Sequence, residues 1–157
     1  MVAITGTMQR SIVVAWTLIA IAMGQVFYWM YDRSPPLVIF EYTASPTQPN
    51  GSMLINGDVK RSLDRECSAV LSRTLIDANG YRSAIGGSQI MTADAIRKID
   101  DANHNKMLVA IPIPKDIVPG PAVLATSMSY TCNPIHQLWP IEMLIEMNVE
   151  ILPEPEL

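Results

Sequence analysis

The chain has 157 residues, 49% of them apolar, with 11 basic and 15 acidic side chains and a net charge of −4. That length holds one modest core beside a membrane segment. Nucleic-acid binding needs clustered Lys and Arg. Here no basic residue follows Lys115, and Glu142, Glu146, Glu150, Glu154 and Glu156 make the C-terminal stretch purely acidic, so that class is excluded.

Residues 1–10 carry one charge, Arg10, and read as a cytoplasmic tail. Ser11–Tyr31 (SIVVAWTLIAIAMGQVFYWMY) then runs without a charge or a proline. As a helix it spans roughly 30 Å, the hydrocarbon thickness of a bilayer. A cleaved secretory signal competes with this reading: Ile12–Ala20 would be the apolar core, and Ala20-Ile21-Ala22 or Ala22-Met23-Gly24 the cleavage site. The run continues past those sites into Phe27, Tyr28, Trp29 and Tyr31. Amphipathic rings at one end of a span favour the headgroup region, so the reading is an uncleaved single-pass anchor. Arg10 before the helix and a large domain after it put the N-terminus in the cytoplasm and the C-terminal domain outside. The lipid bilayer is thus the first partner expected.

Asp32–Pro36 is a linker stiffened by Pro35-Pro36, and residues 37–152 are the domain. Leu37–Thr43 is branched and aromatic, a strand; residues 45–51 form a turn by composition. Met53, Ile55 and Val59 alternate with polar residues as a second strand. Cys67–Ile76 is a third, with Cys67, Ala69, Leu71 and Leu75 on one face; Arg73 falls on that same apolar side. Asp77–Gly80 turns the chain into a short strand, Tyr81–Ile85. Thr92–Ile99 fits a helical turn or an edge strand equally.

Met107–Ile113 reads as an edge strand because it carries Pro112. Pro119-Gly120-Pro121 turns into a strand with Leu124, Met128, Tyr130 and Cys132 on one face. In the last run Ile141, Met143, Ile145, Met147, Val149 and Ile151 share one parity. That alternation outweighs the helix suggested by glutamates four residues apart. Residues 153–157 are an acidic tail. Seven or eight strands with little helix make the fold class all-β, an antiparallel immunoglobulin-like β-sandwich behind one transmembrane helix.

Cys67 and Cys132 are the only cysteines. In an exported domain they pair, and their shared inward parity suits a bond between two sheets.

Sites for chemistry are scarce. Asp101-Ala102-Asn103-His104-Asn105 opens like a calcium loop, but Lys106 stands where glycine is required and Pro112 where the bidentate glutamate belongs; it reads as a solvated turn. His104 and His136 are the only histidines, too few for a zinc site with two cysteines already paired. No nucleophile elbow, phosphate-cradling loop or H-E-x-x-H is present. The C-terminal glutamates form a solvated strand face. The expectation is a protein without catalytic residues, metal or other cofactor. Asn133, His136, Leu138 and Trp139, in the loop Asn133–Pro140, are the candidate contact surface; the competing reading folds that loop back onto the core.

Two resemblances add to this. Tyr130-Thr131-Cys132 resembles the tyrosine-corner tripeptide of immunoglobulin domains, although no tryptophan lies between the cysteines. The block Cys132-Asn133-Pro134-Ile135-His136-Gln137-Leu138-Trp139-Pro140-Ile141, after the Pro119 turn and the arginine-and-cysteine strand Arg65–Arg73, is similar to small membrane-anchored proteins of bacteriophages and bacteria. That similarity covers most of residues 50–145. It implies a phage or bacterial setting, hence a role in lysis or envelope remodelling with an envelope or virion protein as partner, and it brings no catalytic residues. The alternatives carried forward are a signal-cleaved periplasmic binding module and an envelope hydrolase.

Overall fold

The computed structural model describes residues 2–62, 65–94 and 106–154. A helix, α1 (Val2–Tyr31), precedes seven strands: β1 (Leu37–Ala44), β2 (Ser52–Arg61), β3 (Ser68–Ile76), β4 (Arg82–Met91), β5 (Lys106–Pro112), β6 (Gly120–Thr131) and β7 (Ile141–Ile151). All pairings between them are antiparallel, in a three-stranded sheet ordered β1-β2-β5 and a four-stranded sheet ordered β4-β3-β6-β7. The possible calcium loop and most of Thr92–Ile99 lie outside the described residues.

Period-two alternation drives the assembly. In β7, Ile141, Met147, Val149 and Ile151 are buried while Glu142, Glu146 and Glu150 are exposed. One sheet face is thereby apolar and the other wet. β4 runs through Gly86-Gly87 to Met91, well past the expected end at Ile85. Leu71 pairs with Gln89 and Arg73 with Ile85, so residues 86–88 oppose Ser72 alone, a β-bulge. Gly86 and Gly87 sit at φ 69° and 64°, the left-handed region that glycine enters without steric cost. The glycine pair bends the strand without ending it.

The buried faces of the two sheets meet in two apolar clusters. One gathers Met53, Ile55, Leu75, Ile111, Leu124 and Ile151, among others; the second gathers Leu37, Val59, Leu71, Met128, Tyr130 and Ile141. Between them the inward positions are held by Gly57 on β2, Arg73 on β3 and Thr126 on β6. The core therefore has a waist where apolar side chains give way to a glycine, a cation and a hydroxyl. Arg73 is half-buried there, as its parity requires.

Tyr130 is 1% exposed, and its hydroxyl donates to Met128 Sδ at 3.0 Å, not to a backbone carbonyl as in a tyrosine corner. Burial raises its pKa from 10.0 to about 12. Because the folded state favours the neutral phenol, this contribution is whole below pH 10.0 and is lost as the pH climbs through about 12. Urea titrations between those limits are expected to show wild type losing about 2–3 kcal/mol more than Tyr130→Phe; parallel curves would refute the assignment.

Cys67 and Cys132 form a disulfide. It does not join the two sheets. β3 and β6 are neighbours in one sheet, with Ser68 paired to Thr131, and the cysteines occupy the next step of that ladder. Side-chain parity tells which face a residue takes but not which strand lies beside it.

Candidate functional site at the junction of helix and sheets

Trp29, at the end of α1, meets the short loop between β6 and β7. Asn133 organises that loop. Its backbone is extended (φ −152°, ψ 169°), and Oδ1 accepts from the amides of Ile135 (3.0 Å) and His136 (3.1 Å). It is therefore the N-cap of a 3-10 helix, Pro134–Gln137, with proline in the first turn where a missing N–H costs nothing. Asn133 Nδ2 donates to the Trp29 carbonyl at 3.3 Å, satisfying one of the acceptors that a helix leaves open at its C-terminus.

Two arginines complete the junction. Arg33 Nη2 donates to the Pro140 carbonyl at 2.8 Å and Nη1 to that of Trp139 at 3.4 Å. Its guanidinium lies 4.1 Å from the centroid of the Trp139 ring, within cation–π range. Arg65 Nη2 pairs with Asp32 Oδ2 at 2.6 Å while Nη1 donates to the Ser34 carbonyl. The disulfide connects these elements: Arg65 lies two residues before Cys67, and Asn133 directly follows Cys132. One covalent link thus holds together both chain segments that grip the helix end.

The candidate contact residues divide into two pairs. Expected among the exposed residues, His136 is instead 1% exposed: Nδ1 accepts from the Cys132 amide at 3.3 Å, and Nε2 lies 3.2 Å from Asn133 Nδ2. Buried, with Nδ1 accepting from the Cys132 amide, it is a packing residue. Asn133 is half-buried as the cap. Leu138 and Trp139 remain outside, 88% and 53% exposed. Arg33 and Arg65 are the residues whose role at the helix end sequence reasoning missed; position just after an aromatic helix end was the available signal for Arg33, and Arg65 stood out only as the start of the arginine-and-cysteine stretch Arg65–Arg73.

Removing the cap by Asn133→Ala is expected to cost about 1 kcal/mol in urea unfolding, whereas Leu138→Ala, at an exposed position, is expected to cost less than about 0.5 kcal/mol. Equal effects would remove the distinction between scaffold and surface residue.

Among the described residues no three His, Cys, Asp or Glu side chains converge as a metal site. What the junction offers is an exposed apolar rim of Tyr28, Tyr31, Leu138 and Trp139 beside a cation, Arg33. That combination suits contact with a polar–apolar boundary.

No family model matches the chain, and no curated protein matches it either. Among solved structures, it is similar to AggA, the major subunit of aggregative adherence fimbriae type I from Escherichia coli, at 8% identity and a TM-score of 0.39 over 76% of this chain and 97% of that one. At that score the likeness bears on neither fold nor role. Two antiparallel sheets, one apolar N-terminal helix and one disulfide are the properties of this chain from which its role must be read.

Proposed function

We propose that the chain is a single-pass membrane protein without enzymatic activity that holds a β-domain at the outer surface of a bilayer for structural or binding contacts. One observation carries this reading: Gln9–Tyr31 is a helix long and apolar enough to cross a membrane, and none of it is buried against the protein. So much exposed apolar surface is strongly unfavourable in water, and hydrocarbon is the solvent that relieves it. Retention of the helix is favoured over cleavage because the apolar run continues past Ala22 and Gly24 into Phe27, Tyr28, Trp29 and Tyr31, which cleavage would leave as a greasy N-terminus. The disulfide accords with an oxidising compartment and hence with the domain outside the cytoplasm.

On this reading the two sheets form an immunoglobulin-like sandwich in general architecture, supported by buried faces that share their clusters. The disulfide within one sheet departs from the immunoglobulin pattern. With α1 in the bilayer, Leu138 and Trp139 come to headgroup depth, where aromatic rings and a neighbouring arginine are favoured. The domain would then rest on the membrane with its strand faces turned to an envelope or virion partner.

The test is to express the full chain in a bacterial envelope and weigh the membrane-bound product. Full-length mass after alkaline extraction of the membranes is expected. Loss of the residues up to Ala22 or Gly24, with release of the remainder, would establish the signal-cleaved module instead. Bromine quenching in dibromo-phosphatidylcholine vesicles reports depth: a chain retaining only Trp139 is expected to be quenched by shallow bromines and one retaining only Trp16 by deep ones.

A further inference from the structure

The waist of the core is not filled. A cavity of about 510 Å³ lies between the sheets at this level, within the size range of small-molecule sites. Its walls are mainly apolar and include four methionines, Met91, Met107, Met128 and Met147. Methionine is unbranched and polarisable, so such walls adapt to a flexible occupant.

Arg73 is the exception in that lining. It reaches the cavity from the inward face of β3, with Gln89 and Thr126 as polar companions, and among the described residues no acidic side chain lines the space. Arg73 makes no hydrogen bond or ion pair with any described residue. Partial burial lowers its pKa from the ordinary arginine value, a sign that water is being removed without replacement by a counter-charge. A guanidinium in such a place remains charged. Among the described residues, a partner anion is what the site lacks.

Along β1 and β7 the sheets are joined by Tyr42, whose hydroxyl donates to the Glu146 carbonyl at 2.9 Å, and by the bridge between Thr47 and Ile151. Along β4 and β5 no hydrogen-bonded ladder joins them. There Gln89, Met91, Lys106 and Met107 line the cavity. Lys106 lines the same space and makes no ion pair with a described residue either, so two cations border the apolar cavity. The bulge at Gly86–Ser88 bends β4 beside Arg73.

We propose that this cavity binds a single-chain fatty acid, its carboxylate paired with Arg73 and its acyl chain laid among the methionines. A guanidinium matches a carboxylate in bidentate geometry, and the apolar walls match the chain. The volume suits one acyl chain and not the two of a phospholipid. The site does not depend on whether α1 is retained.

The experiment uses the full chain in phosphatidylcholine nanodiscs with a palmitic acid bearing a chain-terminal diazirine, photolysed and mapped by peptide mass spectrometry. Saturable labelling is expected on peptides containing Met91, Met107 or Met128, displaced by excess oleic acid and not by methyl oleate. Probe dissolved in the bilayer labels α1 alone and serves as the internal reference. Arg73→Met is expected to cut cavity labelling about tenfold or more, as loss of a charge-assisted pair implies. Labelling of α1 and the unfolding temperature should hold, while Arg73→Lys restores part of the signal. Labelling confined to α1 would overturn the proposal, as would displacement by the ester equal to that by the acid or undiminished labelling of Arg73→Met. The comparison of acid with ester is made on wild type, so it decides even if Arg73→Met fails to fold.

Discussion

Replacing Cys67 and Cys132 together by alanine is expected to lower the stability of the sheet domain by about 4 kcal/mol, the chain-entropy value for closing a loop across a separation of 65 residues. The effect should reach beyond stability. Cys132 is followed by the cap of the 3-10 helix, and Cys67 stands near Arg65, so the bond holds the two segments that bind the helix end. Unfolding of the double variant in urea against the oxidised wild type measures the first effect. The second is read from Trp139 fluorescence in a background lacking the other tryptophans, since the ring stacks under Arg33 only while the loop is docked. Unchanged unfolding together with unchanged fluorescence would mean that the ladder between β3 and β6 suffices alone.

The larger effect is expected in α1. Leu18→Arg with Ile21→Arg places two guanidinium groups near the centre of the span Gln9–Tyr31. Each costs about 2.5–3.5 kcal/mol on insertion scales, or about 6 kcal/mol for the pair. The double variant is expected to leave the membrane fraction on alkaline extraction while the wild type stays. The domain itself should be unaffected, because α1 meets it only at the junction. Persistence of the variant in the membrane would show that the sheet domain, and not α1, carries the attachment.

Arg73 illustrates how far residue patterning reaches. Strand parity places it on the apolar face of β3, and it lies there. Parity gives no hint that Gly57 and Thr126 stand at the same level of the facing and adjoining strands. An anomalous residue was visible; the cavity around it was not. His136 shows the converse. In a polar loop rich in proline it looked exposed, but the Cys132 amide draws its ring inward. Hydrogen bonds of that kind arise from the path of the backbone and leave no periodic trace.

The apolar span, the strand faces and a cysteine pair suited to an oxidising compartment are all legible in the residues alone. Hydrophobic length and period-two alternation act through each residue's own transfer free energy and through the pleat of its own strand, so they are legible one segment at a time. The strand order emerges only in the folded domain. With it came the placement of the disulfide inside one sheet, the grip of Asn133, Arg33 and Arg65 on the helix end, and the unfilled waist around Arg73. These depend on which segments become neighbours, and pairing between strands far apart in the chain is set by the packing of the whole domain and not by any one strand's composition.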